Sequence, residues 1–117
     1  MAKNLKEALM EFLRIDGVSA SAIIGRDGFV IESASKTKLD MDALGAVIAS
    51  SIGASEMLGK DFEMGKLDQL LLEFAMGKAI IASIGNDILT VITGPDTVIG
   101  SVRYSVKKSA ETIQKML

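Results

Sequence analysis

The sequence predicts an α+β domain with the element order α-β-β-α-β-β-β-α, a five-stranded antiparallel sheet with helices on both faces. Two observations carry that reading. The β-prone runs fall into a hairpin and a meander, each joined by short loops containing glycine. The last three runs, LLLEFA, AIIASI and ILTVI, are apolar at nearly every position, where a sheet with one wet face would alternate, so both faces must be covered. Layer packing then places the first and last helices on one face and the middle helix on the other.

Asn4 followed by Glu7 has capping-box spacing, and Leu5, Ala8, Leu9, Phe12 and Leu13 share one helical face, so helix one runs to about Arg14. Strands at Val18 to Gly25 and Phe29 to Ser35 flank Arg26-Asp27-Gly28, where the Asp-Gly pair supplies the positive φ of a tight turn. Asp40 is the expected N-cap of helix two, which extends from Met41 to about Gly59. Strands at Leu67 to Met76, Ala79 to Ile84 and Ile88 to Thr93 follow, separated by Gly77-Lys78 and Gly85-Asn86-Asp87. Pro95 precedes a cap at Asp96 or Thr97, and Val98, Val102, Val106, Ser109, Ile113 and Leu117 form the stripe of helix three. Neither a repeat nor a linker interrupts the pattern, so residues 1–117 read as one domain.

Composition narrows the chemistry. With 117 residues, 49% of them apolar, a single core is expected. A net charge of −2 with both signs interspersed gives no field able to recruit nucleic acid. The absence of cysteine removes disulfides and thiolate chemistry and fits a cytoplasmic protein. Histidine is absent too, which excludes Ser-His and Cys-His nucleophile pairs and the commonest metal ligands. Accordingly no catalytic residue, cofactor or metal is assigned. A small enzyme using Glu32, Glu73 or Asp87 is the less favoured alternative, because few polar groups lie outside turns and helix surfaces. The opening MAKNLKEALMEF spreads charges through its apolar residues, unlike a signal peptide. The longest uncharged stretches, residues 43–55 and 17–25, are shorter than the ~20 apolar residues of a spanning helix, so no direct membrane insertion is expected.

Helix two is unusual in how little side chain it carries. Projected at about 100° per residue, Leu44, Val47, Ile48, Ser51, Ser55, Leu58 and Phe62 gather on the side expected to meet the sheet. Opposite lie Asp42, Gly45, Ala46, Ala49, Ser50, Gly53 and Met57. Gly45, Ala49 and Gly53 are four apart, as are Ala46, Ser50 and Ala54, and such rows let another backbone approach closely. A merely solvated face has little reason to keep two glycines that each cost roughly 1 kcal/mol against alanine. Strand three, LDQLLLEFAM, points the same way: at a sheet edge its unpaired backbone and apolar side chains call for a partner. Antiparallel pairing with its own copy about a two-fold axis would bring two thin helices together. The interface candidates are therefore Gly45, Ala46, Ala49, Ser50, Gly53 and Met57, with Leu70, Leu72 and Phe74 on the strand.

Other motifs carry less. GASEMLGKD superficially resembles a phosphate loop, but it has the wrong glycine spacing, Asp61 in place of Ser or Thr, and lies at a helix end where such a loop must open a helix. Arg26 at a hairpin tip and Arg103 in the last helix are weak candidates for a catalytic finger supplied to a GTPase. Lys107 and Lys108 read as a solvated face without a wider basic surface. Met41 and Met76 are assigned to the core, while Met57 and Met64 lie nearer the expected interface.

IDGVSASAIIGRDGFVIES resembles the opening hairpin of roadblock/dynein-light-chain domains, and AIIASIGNDILTVITGPDTVIGSVRYSVKKSAETI is similar to their last hairpin and closing helix. The Gly-Val, Arg-Asp-Gly, Ile-Gly and Gly-x-Val-Arg landmarks occur in the family's order over essentially the whole chain. The resemblance implies a roadblock/profilin-like fold of the bacterial or archaeal type. It also implies a homodimer or heterodimer in which third strands pair and second helices lie side by side. By the same resemblance the domain is a non-catalytic module that binds and regulates or scaffolds a small Ras-like GTPase, or else a roadblock scaffold subunit with no GTPase partner. Family members that activate a GTPase can carry further C-terminal sequence, whereas this sequence ends at Leu117, so an activating role is not carried over from the resemblance.

Overall fold

The computed structural model describes residues 2–117. The elements are α1 (Leu5–Phe12), β1 (Val18–Gly25), β2 (Val30–Ser35), α2 (Met41–Asp61), β3 (Gln69–Phe74), β4 (Gly77–Ile84), β5 (Asp87–Thr93) and α3 (Ile99–Lys115). All strand pairs are antiparallel, in the order β2-β1-β5-β4-β3. The hairpin and the meander are thus joined through β1 and β5, and β3 is an edge.

Alternation along β4 divides the core in two. Ile80, Ala82 and Ile84 join Leu9, Phe12, Val102, Val106 and Ile113 beneath α1 and α3. Ile81 turns to the opposite face, where it packs with Ala22, Ile24, Ile88 and the α2 residues Ile48 and Ile52. The central strands are buried on both faces, as their unbroken apolar runs require. Strand β3 differs: none of its residues is fully buried, because α2 lies over β1, β2 and β4 and stops short of the edge.

Local signals account for most boundaries. Asn4 Oδ1 accepts from the Glu7 N–H at 2.9 Å, and Glu7 Oε1 accepts from the Lys3 N–H at 3.0 Å, so the reciprocal cap reaches one residue beyond the usual box. Asp40 caps α2 by accepting from the Ala43 N–H. At the β1–β2 turn the Gly28 N–H donates to the Gly25 carbonyl, and Gly28 alone takes positive φ, at 92°.

Several boundaries depart from the sequence expectation: β2 begins at Val30, β3 shortens to Gln69–Phe74, and Asp87 joins β5 opposite Ile84, which leaves Gly85-Asn86 as the β4–β5 loop. Phe74 pairs with Gly77, so the β3–β4 loop is Ala75-Met76 and not Gly77-Lys78. Gly77 is needed inside the strand, where a Cβ would come 2.8 Å from the Thr93 carbonyl oxygen. Helix α3 is capped by Val98 without a side-chain hydrogen bond, so neither Asp96 nor Thr97 serves as its cap. The Thr97 hydroxyl is instead buried against Gly17.

Helix α2 spans 21 residues and is by length and composition long and apolar enough to cross a membrane, which the uncharged stretches of the sequence did not suggest. Its Ile48 and Ile52 are packed into the sheet, so in this structure it is one layer of the domain.

Candidate protein-interaction surface

The sequence projection of α2 is rotated in the structure. Gly45, Ile48 and Ile52 are the buried positions, whereas Val47, Leu58 and Phe62, expected against the sheet, are exposed, at 63%, 56% and 70%. Packing selects the flank that can approach most closely, and that flank is set by glycine. At Gly45 a Cβ would collide with the Gly28 carbonyl, so the β1–β2 turn rests directly on the helix backbone. Gly45 therefore leaves the set of open-face candidates: its missing side chain serves an intramolecular contact. An ion pair between Arg26 and Glu56 holds the same turn to α2, while Arg26 Nη2 donates to Ser83 Oγ at 2.8 Å. Arg26 is thus engaged in holding the turn.

The remaining α2 candidates separate. Ala49 is half-buried over the core, while Ala46, Ser50, Gly53 and Met57 are exposed. Gly53 has nothing within 4 Å of the position its Cβ would take. On β3, Leu70 and Leu72 are half-buried on the α2 face, and Phe74 stands 65% exposed. Met76, expected in the core, is 83% exposed in the β3–β4 loop.

What the fold brings together is a groove of about 510 Å³ between α2 and the β3 edge. Leu44, Val47 and Ile48 form its helix wall, and Leu72, Phe74 and Met76 its strand wall. Of the nine interface candidates only Leu72 and Phe74 line it; none of the six on α2 does. Sequence reasoning missed Val47, Leu58 and Phe62 as surface residues because the largest apolar side of an isolated helix is normally its buried side. The available signal was the pair Ile48 and Ile52, one turn apart beside Gly45, which gives a second apolar line.

No group of three or more acidic residues placed to hold a metal occurs among the described residues. The surface carries instead an open strand edge, an apolar groove and an exposed apolar flank on the neighbouring helix. A three-layered α+β domain left unfinished in this way has the build of an interaction module. The sequence model of the Roadblock/LC7 domain matches residues 4–93, and the chain belongs to that family.

Close to its full length it is similar to the Methanocaldococcus jannaschii protein MJ1340, with 31% identity over 112 residues, covering 96% of this chain and 98% of that one. A Roadblock/LC7 domain from Streptomyces avermitilis has a TM-score of 0.88 at 15% identity, with 97% of both chains covered. A structure described as MglB with tetrameric arrangement gives 0.86 at 22% identity, covering 94% of this chain and 85% of that one. Profilin II of Acanthamoeba castellanii shares the architecture more distantly, at a TM-score of 0.60 and 17% identity over 86% of this chain and 89% of that one.

Proposed function

We propose that the chain pairs with a second copy through β3 and the adjoining flank of α2, and that the dimer binds and regulates or scaffolds a small Ras-like GTPase. The observation that carries the pairing is the coincidence of an unpaired edge strand with an apolar groove beside it. Phe74 and Met76 on one side and Val47, Leu58 and Phe62 on the other expose large apolar side chains that a solitary domain would keep from water. Antiparallel β3–β3 pairing about a two-fold axis satisfies the free backbone groups and seats each groove against its mate. Self-association is consistent with the tetrameric arrangement described for MglB, whose fold this chain shares. Membership of the Roadblock/LC7 family supports the GTPase partner that the sequence resemblance implies.

Immobilised protein exposed to source lysate with GDP or a non-hydrolysable GTP analogue tests the partner. A small GTPase identified by mass spectrometry and retained in only one nucleotide state, then bound again as a purified protein, is the expected result. Retention of none in either state would remove the GTPase from the proposal, while light scattering across a dilution series judges the dimer separately.

A further inference from the structure

On the sheet face opposite α2, a trough of about 600 Å³ runs between α3 and the β3–β4 end of the sheet. Its floor is apolar, with Ala82 and Ile84 buried beneath it, and its rim is basic. Arg103 and Lys107 stand along the α3 wall and Lys66 lines the trough from the segment between α2 and β3. Asp68 is the one carboxylate lining it among the described residues. None of these three cations has an ion-pair partner among the described residues, where the salt bridges engage Lys6, Arg26 and Lys115. The sequence shows Lys107 without a wider basic surface; the fold supplies one by carrying Lys66 across to it.

Arg103 is also aimed. Its Nε donates to Gln69 Oε1 at 3.2 Å, while Gln69 Nε2 donates back to the Arg103 carbonyl at 3.2 Å. This reciprocal pair ties α3 to β3 and leaves both terminal guanidinium nitrogens without a partner among the described residues.

We infer that this trough docks an extended acidic peptide segment. The α3 wall from Gly100 to Ala110 is about 15 Å long at 1.5 Å per residue, which matches four or five residues of extended chain at about 3.3 Å each. Arg103 and Lys107, one helical turn apart, are separated along the axis by about 6 Å. Acidic side chains at alternate positions of an extended segment repeat at about 6.6 Å, so two of them meet the two cations while the side chains between them lie elsewhere. The apolar floor accepts the peptide's backbone and aliphatic atoms. Nucleic acid fits less well, because three cations beside a carboxylate, on a chain of net charge −2, offer little counterion release. The trough is formed within one protomer on the face away from α2, and through Gln69 of β3 it adjoins the proposed dimer seam.

Fluorescence anisotropy of the full chain with a labelled hexapeptide alternating glutamate and leucine, beside its glutamine counterpart, tests the assignment. The acidic peptide is expected to bind about tenfold more tightly than the glutamine peptide, and Lys66→Gln/Lys107→Gln to weaken it by about tenfold. Both lysines are solvent-exposed and their side chains make no hydrogen bond among the described residues, so the variant keeps the fold and the Arg103–Gln69 pair. Lys3→Gln/Lys36→Gln makes the same charge change elsewhere and is expected to bind as the parent does. Equal affinity for the two peptides, an equal loss in both double variants, or tighter binding of a labelled oligothymidylate would overturn the assignment.

Discussion

Gly45 of α2 and Gly28 of the β1–β2 turn are in backbone contact: a methyl group at Gly45 would overlap the Gly28 carbonyl oxygen, and one at Gly28 would come 3.3 Å from the Ala46 Cα. This glycine pair fixes how α2 is rotated on the sheet. Turned inward at Gly45, the helix buries Ile48 and Ile52 and presents Val47, Leu58 and Phe62 outward. The exposed flank is therefore a consequence of a contact on the other side of the helix.

Two alanine substitutions four residues either side of Ala49 should have opposite signs. Gly45→Ala is expected to cost about 1–3 kcal/mol through overpacking against the turn. Gly53→Ala meets nothing within 4 Å, and it should stabilise the helix by about 1 kcal/mol. Urea unfolding at one protein concentration reads both as shifts of the midpoint at constant slope. Gly45→Ala without loss would mean that the helix can turn freely on the sheet.

The groove and the small-residue row make different predictions about the dimer seam. Val47→Glu puts a charge into the groove wall and should raise the dimer dissociation constant at least ~30-fold, the cost of desolvating an unpaired carboxylate at an interface. Gly53→Leu, which projects from the row outside the groove, should leave dissociation unchanged. Light scattering across a dilution series decides it. Dissociation by Gly53→Leu with Val47→Glu still dimeric would assign the seam to Ala46, Ser50 and Gly53.

Ile52 is fully buried under α2, which meets the sheet through a short line of contacts. Ile52→Ala should cost about 2–5 kcal/mol through transfer and cavity terms. Hydrogen exchange should show the amides of α2 losing protection before those of β1 and β5. In the same measurement Leu9→Ala, which weakens the opposite layer, should not loosen α2 selectively.

Thr97 carries a buried hydroxyl with no hydrogen-bond partner among the described residues. Thr97→Val preserves shape and removes the desolvated oxygen, and is expected to raise stability by about 1 kcal/mol. A calorimetric midpoint that falls instead would show that the hydroxyl is satisfied by a bound water.

The sequence by itself determined the element order, the antiparallel pairing and the family. Each rests on short-range signals: Asn4 and Asp40 as caps, Gly28 at the turn, and unbroken apolar runs in β4 and β5 that demand two covering layers. It also singled out Leu72 and Phe74, because an apolar strand is conspicuous wherever it lies. The rotation of α2 was decided only in the tertiary structure. A helix with apolar residues on two flanks buries the one that can approach most closely, and that depended on Gly28, 17 positions away in sequence from Gly45. The basic trough has the same origin. Arg103 and Lys107 stand one turn apart on α3, but Lys66 belongs to the segment between α2 and β3, and it joins them only because Val102, Val106 and Ile113 pack α3 onto the sheet beside that segment.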